Sequence, residues 1–289
     1  MIQPLVNPDV LQSFLASNKL RAAKSLGQNF LICEEVIDAV LMGLNGGPKN
    51  ITELGPGLGT LTQGLIVSGY HVRGIEKDDD FVKILPTVIP PKLRENLRVV
   101  HGDLLEESWD WSEQPAKTAG EGYALVGNIP YNISGLIIRL LTKIQTPPSS
   151  AIFLMQKEVA ERIVNTENSM SLLGLSVGLW GTAELLLQVP PSCFIPEPAV
   201  NSSLIQIRPK PDMLPIEKRE EIIACAKPFF QAKRKQIAHT LKVAFGQTGE
   251  QIESITRKLN ISPSDRPENL SVQNWVSLCD ILRTCPAAS

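Results

Sequence analysis

The sequence predicts an α/β fold in which an open, mostly parallel sheet carries helices on both faces and a small all-helical domain follows. Short apolar segments typical of buried strands alternate with segments of helical periodicity up to residue 210. Pro209, Pro211 and Pro215 indicate a linker, and beyond them every periodic segment is helical. We therefore expect one domain at 1–210, which begins with a helical extension, and a second domain at 211–289.

The predicted elements follow from the spacing of the apolar residues. Strands are expected at 50–54, 71–75, 97–100, 123–126, 151–155, 185–189 and 203–207. Helices of the first domain are expected after Asn7-Pro8, at 34–44, after positions 59, 134 and 156, and at 172–183. Those of the second domain are expected at 216–227, 233–245, 250–259 and 272–282.

Composition argues against several classes of protein. The 289 residues are 43% hydrophobic and 20% charged, which is ordinary for a globular protein, and the net charge is −2. No apolar run is long enough to span a bilayer, and no basic segment precedes an apolar one near residue 1, so we expect neither a membrane span nor a secretory signal. Five cysteines without paired short spacing and three histidines predict reduced thiols, no metal site and a cytoplasmic protein.

A glycine-rich turn follows the first predicted strand of the sheet. Its sequence, Gly55-Pro-Gly57-Leu-Gly59, leads directly into a helical segment, an arrangement that lets the backbone approach a ligand closely. The next strand ends in Glu76, 17 positions after Gly59, where a carboxylate can accept hydrogen bonds from both hydroxyls of a ribose. Nicotinamide enzymes and S-adenosylmethionine enzymes share this pattern, so it predicts nucleoside binding without deciding between the two cofactors.

Asp103 follows the third predicted strand and has two interpretations. At the end of a parallel strand, its carboxylate can accept a hydrogen bond from the exocyclic amine of a cofactor adenine that lies across the sheet edge. A single aspartate after a strand is more often the cap of a turn or helix. Both interpretations stay open for this residue taken alone.

The fourth predicted strand ends in Asn128-Ile-Pro-Tyr131, a segment suited to a flat heterocycle that bears an exocyclic amine. The side-chain oxygen of Asn128 and the carbonyl of Ile129 can each accept an amine proton. Pro130 stiffens the backbone, and the ring of Tyr131 can stack on the base. An ordinary turn is the alternative for an isolated motif of this kind. Four successive strands, however, end in polar motifs at the edge where open sheets bind ligands, which favours the functional interpretation.

Phe194 lies in a proline-rich segment, Pro190-Pro-Ser-Cys-Phe-Ile-Pro-Glu-Pro198, between two predicted strands. An exposed ring on such a rigid loop suits stacking on a base held beside Asn128. A buried ring beneath the loop is an equally good interpretation, because aromatic side chains dominate cores.

Basic residues are concentrated in one part of the predicted helical domain. Residues 218–242 contain seven lysines and arginines against two glutamates. A solvated helix face is the more common meaning of a short charge run, so the cluster only supports a role in binding nucleic acid. The residues predicted to face phosphates are Arg21, Lys24, Arg208, Lys233, Arg234 and Lys235.

Taken together, these motifs resemble the small-subunit (16S) rRNA adenine N6-dimethyltransferase family over nearly the whole chain. The resemblance rests on Ser25-Leu-Gly-Gln-Asn-Phe-Leu31, Glu53-Leu-Gly-Pro-Gly-Leu-Gly59, Gly102-Asp103, Gly127-Asn-Ile-Pro-Tyr-Asn-Ile-Ser134, Gln156-Lys-Glu-Val-Ala-Glu-Arg162, Phe194-Ile-Pro-Glu-Pro-Ala-Val-Asn-Ser202 and Phe230-Gln-Ala-Lys-Arg-Lys235. It implies a Rossmann-like class I S-adenosylmethionine methyltransferase domain followed by a helical RNA-binding domain. It also implies cofactor contacts by Asn29, Leu31, Gly55, Gly57, Glu76, Asp103 and Asn128.

The resemblance also implies a function. Enzymes of this family use S-adenosylmethionine to dimethylate two adjacent adenosines in a hairpin near the 3′ end of 16S rRNA, late in small-subunit assembly. We therefore expect a cytoplasmic, monomeric enzyme of ribosome biogenesis that acts on a pre-30S particle and uses neither a metal nor a membrane. The family often has Tyr-Gly where this chain has Leu172 and Leu173, so RNA contacts at these two positions do not carry over.

Three alternatives share part of this pattern. The 23S rRNA adenine methyltransferases associated with macrolide resistance have the same Asn-x-Pro-Tyr logic, although the segments 156–162 and 194–202 favour the small-subunit enzyme. A binding protein that keeps the fold without turnover fits less well with an intact cofactor edge. A nicotinamide dehydrogenase is disfavoured because no proton-relay residue accompanies the glycine-rich turn.

Overall fold

The computed structural model describes residues 5–21, 27–111, 122–167, 169–232 and 234–284. The chain forms two compact units. The first contains 1–160 and 183–209, and the second contains 161–182 and 210–289. The sequence predicts a single division near residue 210, whereas in the structure the segment 161–182 also groups with the C-terminal helices.

The first unit is built on a seven-stranded sheet, with a separate two-stranded ribbon. The ribbon contains β1 (Phe30–Leu31) and β8 (Phe194–Ile195). The sheet contains β2 (Asn50–Leu54), β3 (His71–Glu76), β4 (Leu97–His101), β5 (Ala124–Asn128), β6 (Ala151–Gln156), β7 (Gly181–Val189) and β9 (Ser202–Pro209). The helices of this unit are α1 (Pro8–Ser17), α2 (Glu34–Leu44), α3 (Thr60–Val67), α4 (Asp79–Ile84) and α5 (Ser134–Leu141). The sequence predicts all seven sheet strands, but neither strand of the ribbon.

The order of the strands creates a crevice in the middle of the sheet. The order is β4-β3-β2-β5-β6-β9-β7. β2 pairs in parallel with both β3 and β5, and β9 pairs antiparallel with β6. The chain order therefore reverses between β2 and β5, and ligands bind outside the carboxyl ends of the strands at such a reversal.

The central strands are buried because helices cover both faces of the sheet. All five residues of β2 are buried, and β5 and β6 are buried up to their last residues, Asn128 and Gln156. Parallel strands covered on both sides require such continuous burial. The polar residues that end β5 and β6 are therefore easy to recognise in the sequence.

The N-terminal helices begin where the local sequence predicts. The side chain of Asn7 caps α1 by accepting hydrogen bonds from the backbone N–H groups of Asp9 and Val10, at 2.9 and 3.2 Å. Pro8 occupies the first turn, where its missing N–H has no cost. The predicted helix at 34–44 matches α2.

The ribbon of β1 and β8 accounts for the position of Phe194. Phe30 pairs with Ile195 and Leu31 pairs with Phe194, and the N–H of Ile32 donates to the carbonyl of Cys193 at 2.9 Å. Phe194 is buried in the core of the first unit, with 1% of its surface exposed. The long segment before α2 is thus attached to the loop before β9, although the two are far apart in sequence.

The second unit is helical and has its own core. α6 (Lys157–Val164) leads into it, and its other helices are α7 (Leu172–Trp180), α8 (Ile216–Gln231), α9 (Ile237–Phe245), α10 (Gly249–Leu259) and α11 (Val272–Thr284). Trp275 and Phe229 are fully buried and pack edge to face, with ring centroids 5.3 Å apart. Leu175 and Leu179 of α7 lie in the same core, which explains why 161–182 groups with this unit.

Four of the five cysteines lie in the part of the chain that the structure describes. In that part, Cys33, Cys193, Cys225 and Cys279 are free thiols. Its helices include none long and apolar enough to cross a membrane.

Gly59 combines a special backbone conformation with close packing at the start of α3. Its φ is +88°, and a Cβ atom there would lie 2.4 Å from Cδ1 of Leu85 and 3.0 Å from Cγ2 of Val88. We expect Gly59→Ala to lower the free energy of unfolding by about 3 kcal/mol, because left-handed backbone and overpacking each contribute about 1–2 kcal/mol. Gly69→Ala is the matched control: its φ is +82°, and no atom lies within 4 Å of the added Cβ. Chemical denaturation should show a loss of only about 1 kcal/mol for the control; equal losses would contradict the packing explanation.

Candidate active site

The carboxyl ends of β2, β3, β4 and β5 open onto a cavity of about 340 Å³ in the first unit. This volume lies in the usual range for small-molecule sites. The segment 27–31 forms another wall. Of the residues predicted to bind cofactor or base, those that line the cavity are Asn29, Leu31, Gly55, Gly57, Glu76, Asp103, Asn128, Ile129, Pro130 and Tyr131.

The glycine-rich turn brings the backbone to the rim of the cavity. Gly55 and Gly57 have φ values of +71° and +55°, a region that favours glycine. A Cβ atom on Gly55 would contact only Leu104, at 3.8 Å, so Gly55 is required by the turn and not by crowding. The turn is attached to the neighbouring strand β3, since the N–H of Gly55 donates to the carbonyl of Ile75 at 3.0 Å.

Glu76 is a buried carboxylate that three backbone donors hold in place. Oε2 accepts from the N–H of Gly57, and Oε1 accepts from the N–H groups of Lys77 and Asp78, each at 2.9 Å. Burial raises the pKa of Glu76, and these three hydrogen bonds oppose the rise. A carboxylate offers about four acceptor positions, so one remains free, on Oε2. The predicted contact with both ribose hydroxyls therefore requires one backbone donor to move aside.

The turn-capping interpretation of Asp103 is confirmed, whereas its contact with a cofactor adenine stays a prediction. Oδ1 accepts from the N–H of Leu105 at 2.9 Å, which is the turn-capping role. Oδ2 accepts from Nζ of Lys77 at 2.7 Å, and this hydrogen bond is the main reason why the pKa of Asp103 is lowered. The carboxylate is therefore ionised and still has acceptor positions available toward the cavity that it lines.

Asn128 is oriented by the segment 27–31, which forms a wall of the cavity. Its Nδ2 donates to the backbone carbonyl of Asn29 at 2.8 Å. A carbonyl can only accept, so this contact fixes which end of the carboxamide is the NH₂ group. Oδ1 is then left as an acceptor on a half-buried side chain that lines the cavity.

The next three residues complete the same corner of the cavity. The N–H of Ile129 donates to the carbonyl of Leu154 at 2.9 Å, which attaches the segment to β6. Among the described residues, no donor is found for the Ile129 carbonyl. The hydroxyl of Tyr131 lies 2.6 Å from Oγ of the buried Ser202, so the half-buried ring is held at both ends. Burial raises the pKa of Tyr131, although the hydrogen bond to Ser202 opposes this.

The predicted stacking role of Phe194 is wrong. The ring is buried in the core and does not line the cavity. Its backbone pairs with Leu31, so its side chain supports the wall that carries Asn29. The buried interpretation, which the sequence left equally open, is the correct one.

The predicted basic residues are only partly described. Arg21, Arg234 and Lys235 are exposed. Arg208 is also exposed, but its guanidinium forms an ion pair with Glu184 and donates to Oε1 of Gln206 at 2.8 Å. Lys24 and Lys233 lie outside the described residues. The predicted phosphate-binding role of the six residues therefore stays a prediction.

The family model described as Ribosomal RNA adenine dimethylase matches residues 19–284 of this chain. The chain belongs to this family. Ribosomal RNA small subunit methyltransferase A from Dehalococcoides mccartyi is 32% identical over 264 residues, which cover 90% of this chain and 88% of the relative. The protein of the same name from Idiomarina loihiensis is 35% identical over 267 residues, which cover 91% and 88%.

Solved structures show the same fold for this dimethylase. A dimethyladenosine transferase from Plasmodium falciparum has a TM-score of 0.69 at 20% identity, covering 86% of this chain and 95% of that one. The 23S rRNA methyltransferase ErmE has a TM-score of 0.68 at 23% identity, covering 88% and 100%. The predicted family, the class I methyltransferase fold, the enzyme class and S-adenosylmethionine as methyl donor are confirmed.

Glu53 is the main residue of the dimethylase cavity that sequence reasoning missed. It is 2% exposed, and its Oε2 accepts a 2.6 Å hydrogen bond from Oγ1 of Thr62. Burial raises the pKa of Glu53 to about 8, and the nearby charge of Glu76 adds to the effect. At neutral pH Glu53 is therefore mainly protonated. The available signal was a glutamate inside a short predicted strand, two positions before Gly55 of the glycine-rich turn.

The raised pKa of Glu53 makes stability depend on pH. The folded state holds the proton up to about pH 8, whereas the unfolded state loses it above the ordinary carboxyl pKa. The stabilisation is thus complete below the unfolded pKa and is lost as pH rises toward 8. We expect Glu53→Gln to remove a slope of about 1.4 kcal/mol per pH unit between pH 5 and 8, measured by chemical denaturation. The exposed Glu95 supplies the control variant, Glu95→Gln, which should keep the wild-type slope. A Glu53→Gln protein with the wild-type slope would disprove the assignment.

Proposed function

We propose that this dimethylase transfers methyl groups from S-adenosylmethionine to the N6 amines of two adjacent adenosines in the 3′-terminal hairpin of 16S rRNA. The hydrogen bond from Nδ2 of Asn128 to the Asn29 carbonyl is the main support for this proposal, because it leaves Oδ1 as an acceptor at the cavity. The relatives named small subunit methyltransferase A support the choice of the small subunit.

The residues at the cavity fit the methyl donor. Glu76 offers a free acceptor position to a ribose hydroxyl, and the ionised Asp103 can accept from an adenine amine. Gly55 and Gly57 let the backbone approach the ligand, and Asn29 and Leu31 line the wall formed by the segment 27–31. S-adenosylmethionine supplies a methyl group on a sulfonium, which is already a strong electrophile.

Asn128 and Ile129 act on the nucleophile. An adenine amine is a weak nucleophile because its lone pair is delocalised into the ring. Hydrogen bonds from the two amine protons to Oδ1 of Asn128 and the Ile129 carbonyl favour a tetrahedral nitrogen, which frees the lone pair. These acceptors are fixed in advance by the contacts to Asn29 and Leu154, so no reorganisation is needed during the reaction. After transfer, the methylated amine can release its proton to water.

Tyr131 and Pro130 hold the base. The target adenosine must leave its stack to reach the cavity, and an aromatic ring can replace the lost stacking. The hydrogen bond between Tyr131 and Ser202 fixes the ring, so little conformational freedom is lost when the base binds. Phe194 has no part in this step because it is buried.

The proposal also includes the partner of the enzyme and its location in the cell. We place the enzyme in the cytoplasm as a monomer that acts on a pre-30S particle. Exposed basic residues in both units would bind phosphates, including Arg21 in the first and Arg234 and Lys235 in the second. The helical segment 211–289 would serve mainly in RNA binding.

The role of Asn128 predicts a separation of chemistry from cofactor binding. Asn128→Ala removes one of two amine acceptors, so we expect methyl transfer to 30S particles to fall by about 100-fold or more. S-adenosylmethionine binding should stay measurable by calorimetry. Asn132→Ala changes the same residue type at the rim of the same cavity and should retain most activity. Full activity in Asn128→Ala would refute the assignment of the pocket.

The role of Tyr131 predicts a different pattern. Tyr131→Phe keeps the ring and loses only the contact to Ser202, so its kcat/KM should stay within a few-fold of wild type. Tyr131→Ala loses the stacking surface, which is worth about 1–3 kcal/mol per base, and kcat/KM should fall about 5- to 150-fold. Equal losses in both variants would show that the hydroxyl, not the ring, is what matters.

The choice of RNA can be tested directly. Methyl transfer to purified 30S particles from cells that lack the gene should yield dimethylated adenosines in 16S rRNA, whereas 23S rRNA should stay unmodified. Modification of 23S rRNA alone would favour the alternative methyltransferase. Binding without any methyl transfer would favour a protein that keeps the fold for another purpose.

A further inference from the structure

A second cavity, of about 490 Å³, lies within the helical unit. Its walls come from α6, the segment before α7, the last turns of α8 and the short turn at Pro267–Asn269. It is separate from the methylation cavity, since the two share no residue. The reaction described above does not use it.

Two basic side chains line this second cavity. Arg162 and Lys227 are both exposed, and no acceptor for either is found among the described residues. They come from different helices, α6 and α8. Single exposed cations are common on protein surfaces. Two that converge on one concave site from separate helices provide a local positive potential there.

The N-terminus of α7 opens on the same cavity. Ser171 and Leu172 line it, and Ser171 caps the nine-residue helix by accepting from the N–H of Gly174 at 2.9 Å. In the described part of the chain, no acceptor is found for the N–H groups of Leu172 and Leu173, the first two of the helix. Such free N–H groups bind anions, and phosphate in particular.

The remaining walls suit the base of a nucleotide. Phe230 is half-buried at the cavity, and its ring is supported by Trp275, with centroids 5.1 Å apart. Met170 and Leu172 add apolar surface. Glu268 is the one carboxylate among the lining residues; it lies 3.9 Å from Arg266 and can accept a hydrogen bond from an exocyclic amine. The cavity thus combines a place for a phosphate with a place for a ring.

We propose that this cavity binds one unpaired nucleotide of the RNA substrate, at a point away from the methylated adenosines. The phosphate contacts Arg162, Lys227 and the first N–H groups of α7, and the base lies against Phe230. The inference rests on the proposed function for the identity of the RNA, but the site itself can be tested without methyl transfer. It would let the helical unit contribute affinity for a non-helical part of the RNA.

Methyl NMR of the full chain can detect binding at this cavity. The methionines at 42, 155 and 170 are distinct reporters, because Met170 lines the cavity, Met42 is 78% exposed and Met155 lies in the sheet core. Titration with single-stranded octacytidylate RNA should shift the Met170 methyl signal, with little change at Met42 or Met155. An unchanged Met170 signal at saturating RNA would overturn the proposal.

Matched charge variants test the phosphate contacts. Each neutralised phosphate of single-stranded nucleic acid contributes about 0.7 to the salt slope, so loss of this one phosphate contact in Arg162→Gln with Lys227→Gln should weaken binding at Met170 about fivefold at 0.1 M salt. Lys258→Gln, an exposed cation of α10 away from the cavity, should leave this affinity unchanged. Phe230→Leu keeps an apolar side chain and should weaken binding at least about fivefold through lost stacking.

The outcomes separate this inference from the proposed function. Unchanged affinity in the double variant, or an equal loss in Lys258→Gln, would overturn the second site while methyl transfer by the wild type stands. A protein that binds octacytidylate through Arg162 and Lys227 but methylates no adenosine would retain the site and refute the proposed enzyme activity.

Discussion

The hydrogen bond from Asn128 to the Asn29 carbonyl is the constraint on which the active site depends. It determines which end of the carboxamide is available to a substrate amine. Asn29 in turn is placed by β1, which pairs with β8 through Leu31 and Phe194. Phe30 packs edge to face on Phe81, with centroids 5.5 Å apart. The pairing of two segments more than 150 residues apart in sequence therefore fixes the orientation of Oδ1 of Asn128.

The surroundings of each acidic residue at the sheet edge decide the direction in which its pKa is shifted. Glu53 is buried with one hydroxyl donor and is neutral at pH 7. Glu76 is buried but receives three backbone donors, and Asp103 is held ionised by Lys77. This arrangement limits the repulsion between neighbouring acids while leaving acceptors for a ribose and an adenine. In the proposed mechanism, positioning and hydrogen bonding, not a reactive side chain, account for the chemistry.

Much of the sheet and of the cavity was predictable because the signals are local. A buried strand followed by glycines, Glu76 or Asn128 can be recognised from a few residues, and the structure brings these ends together as expected. The burial of Phe194 was not predictable, since β1 and β8 are two residues long and form only through pairing between distant segments. The grouping of 161–182 with the C-terminal helices depends on long-range packing of Leu175 and Leu179. The protonation of Glu53 depends on burial that only the folded chain defines.

A structure of the protein with S-adenosylhomocysteine and adenosine monophosphate would test directly whether Asn128 and Ile129 hold the target amine. We expect N6 of the bound adenine to lie about 3 Å from both Oδ1 of Asn128 and the Ile129 carbonyl, with Nδ2 of Asn128 still bonded to Asn29. An adenine amine that faces Nδ2, or that is held elsewhere in the cavity, would contradict it.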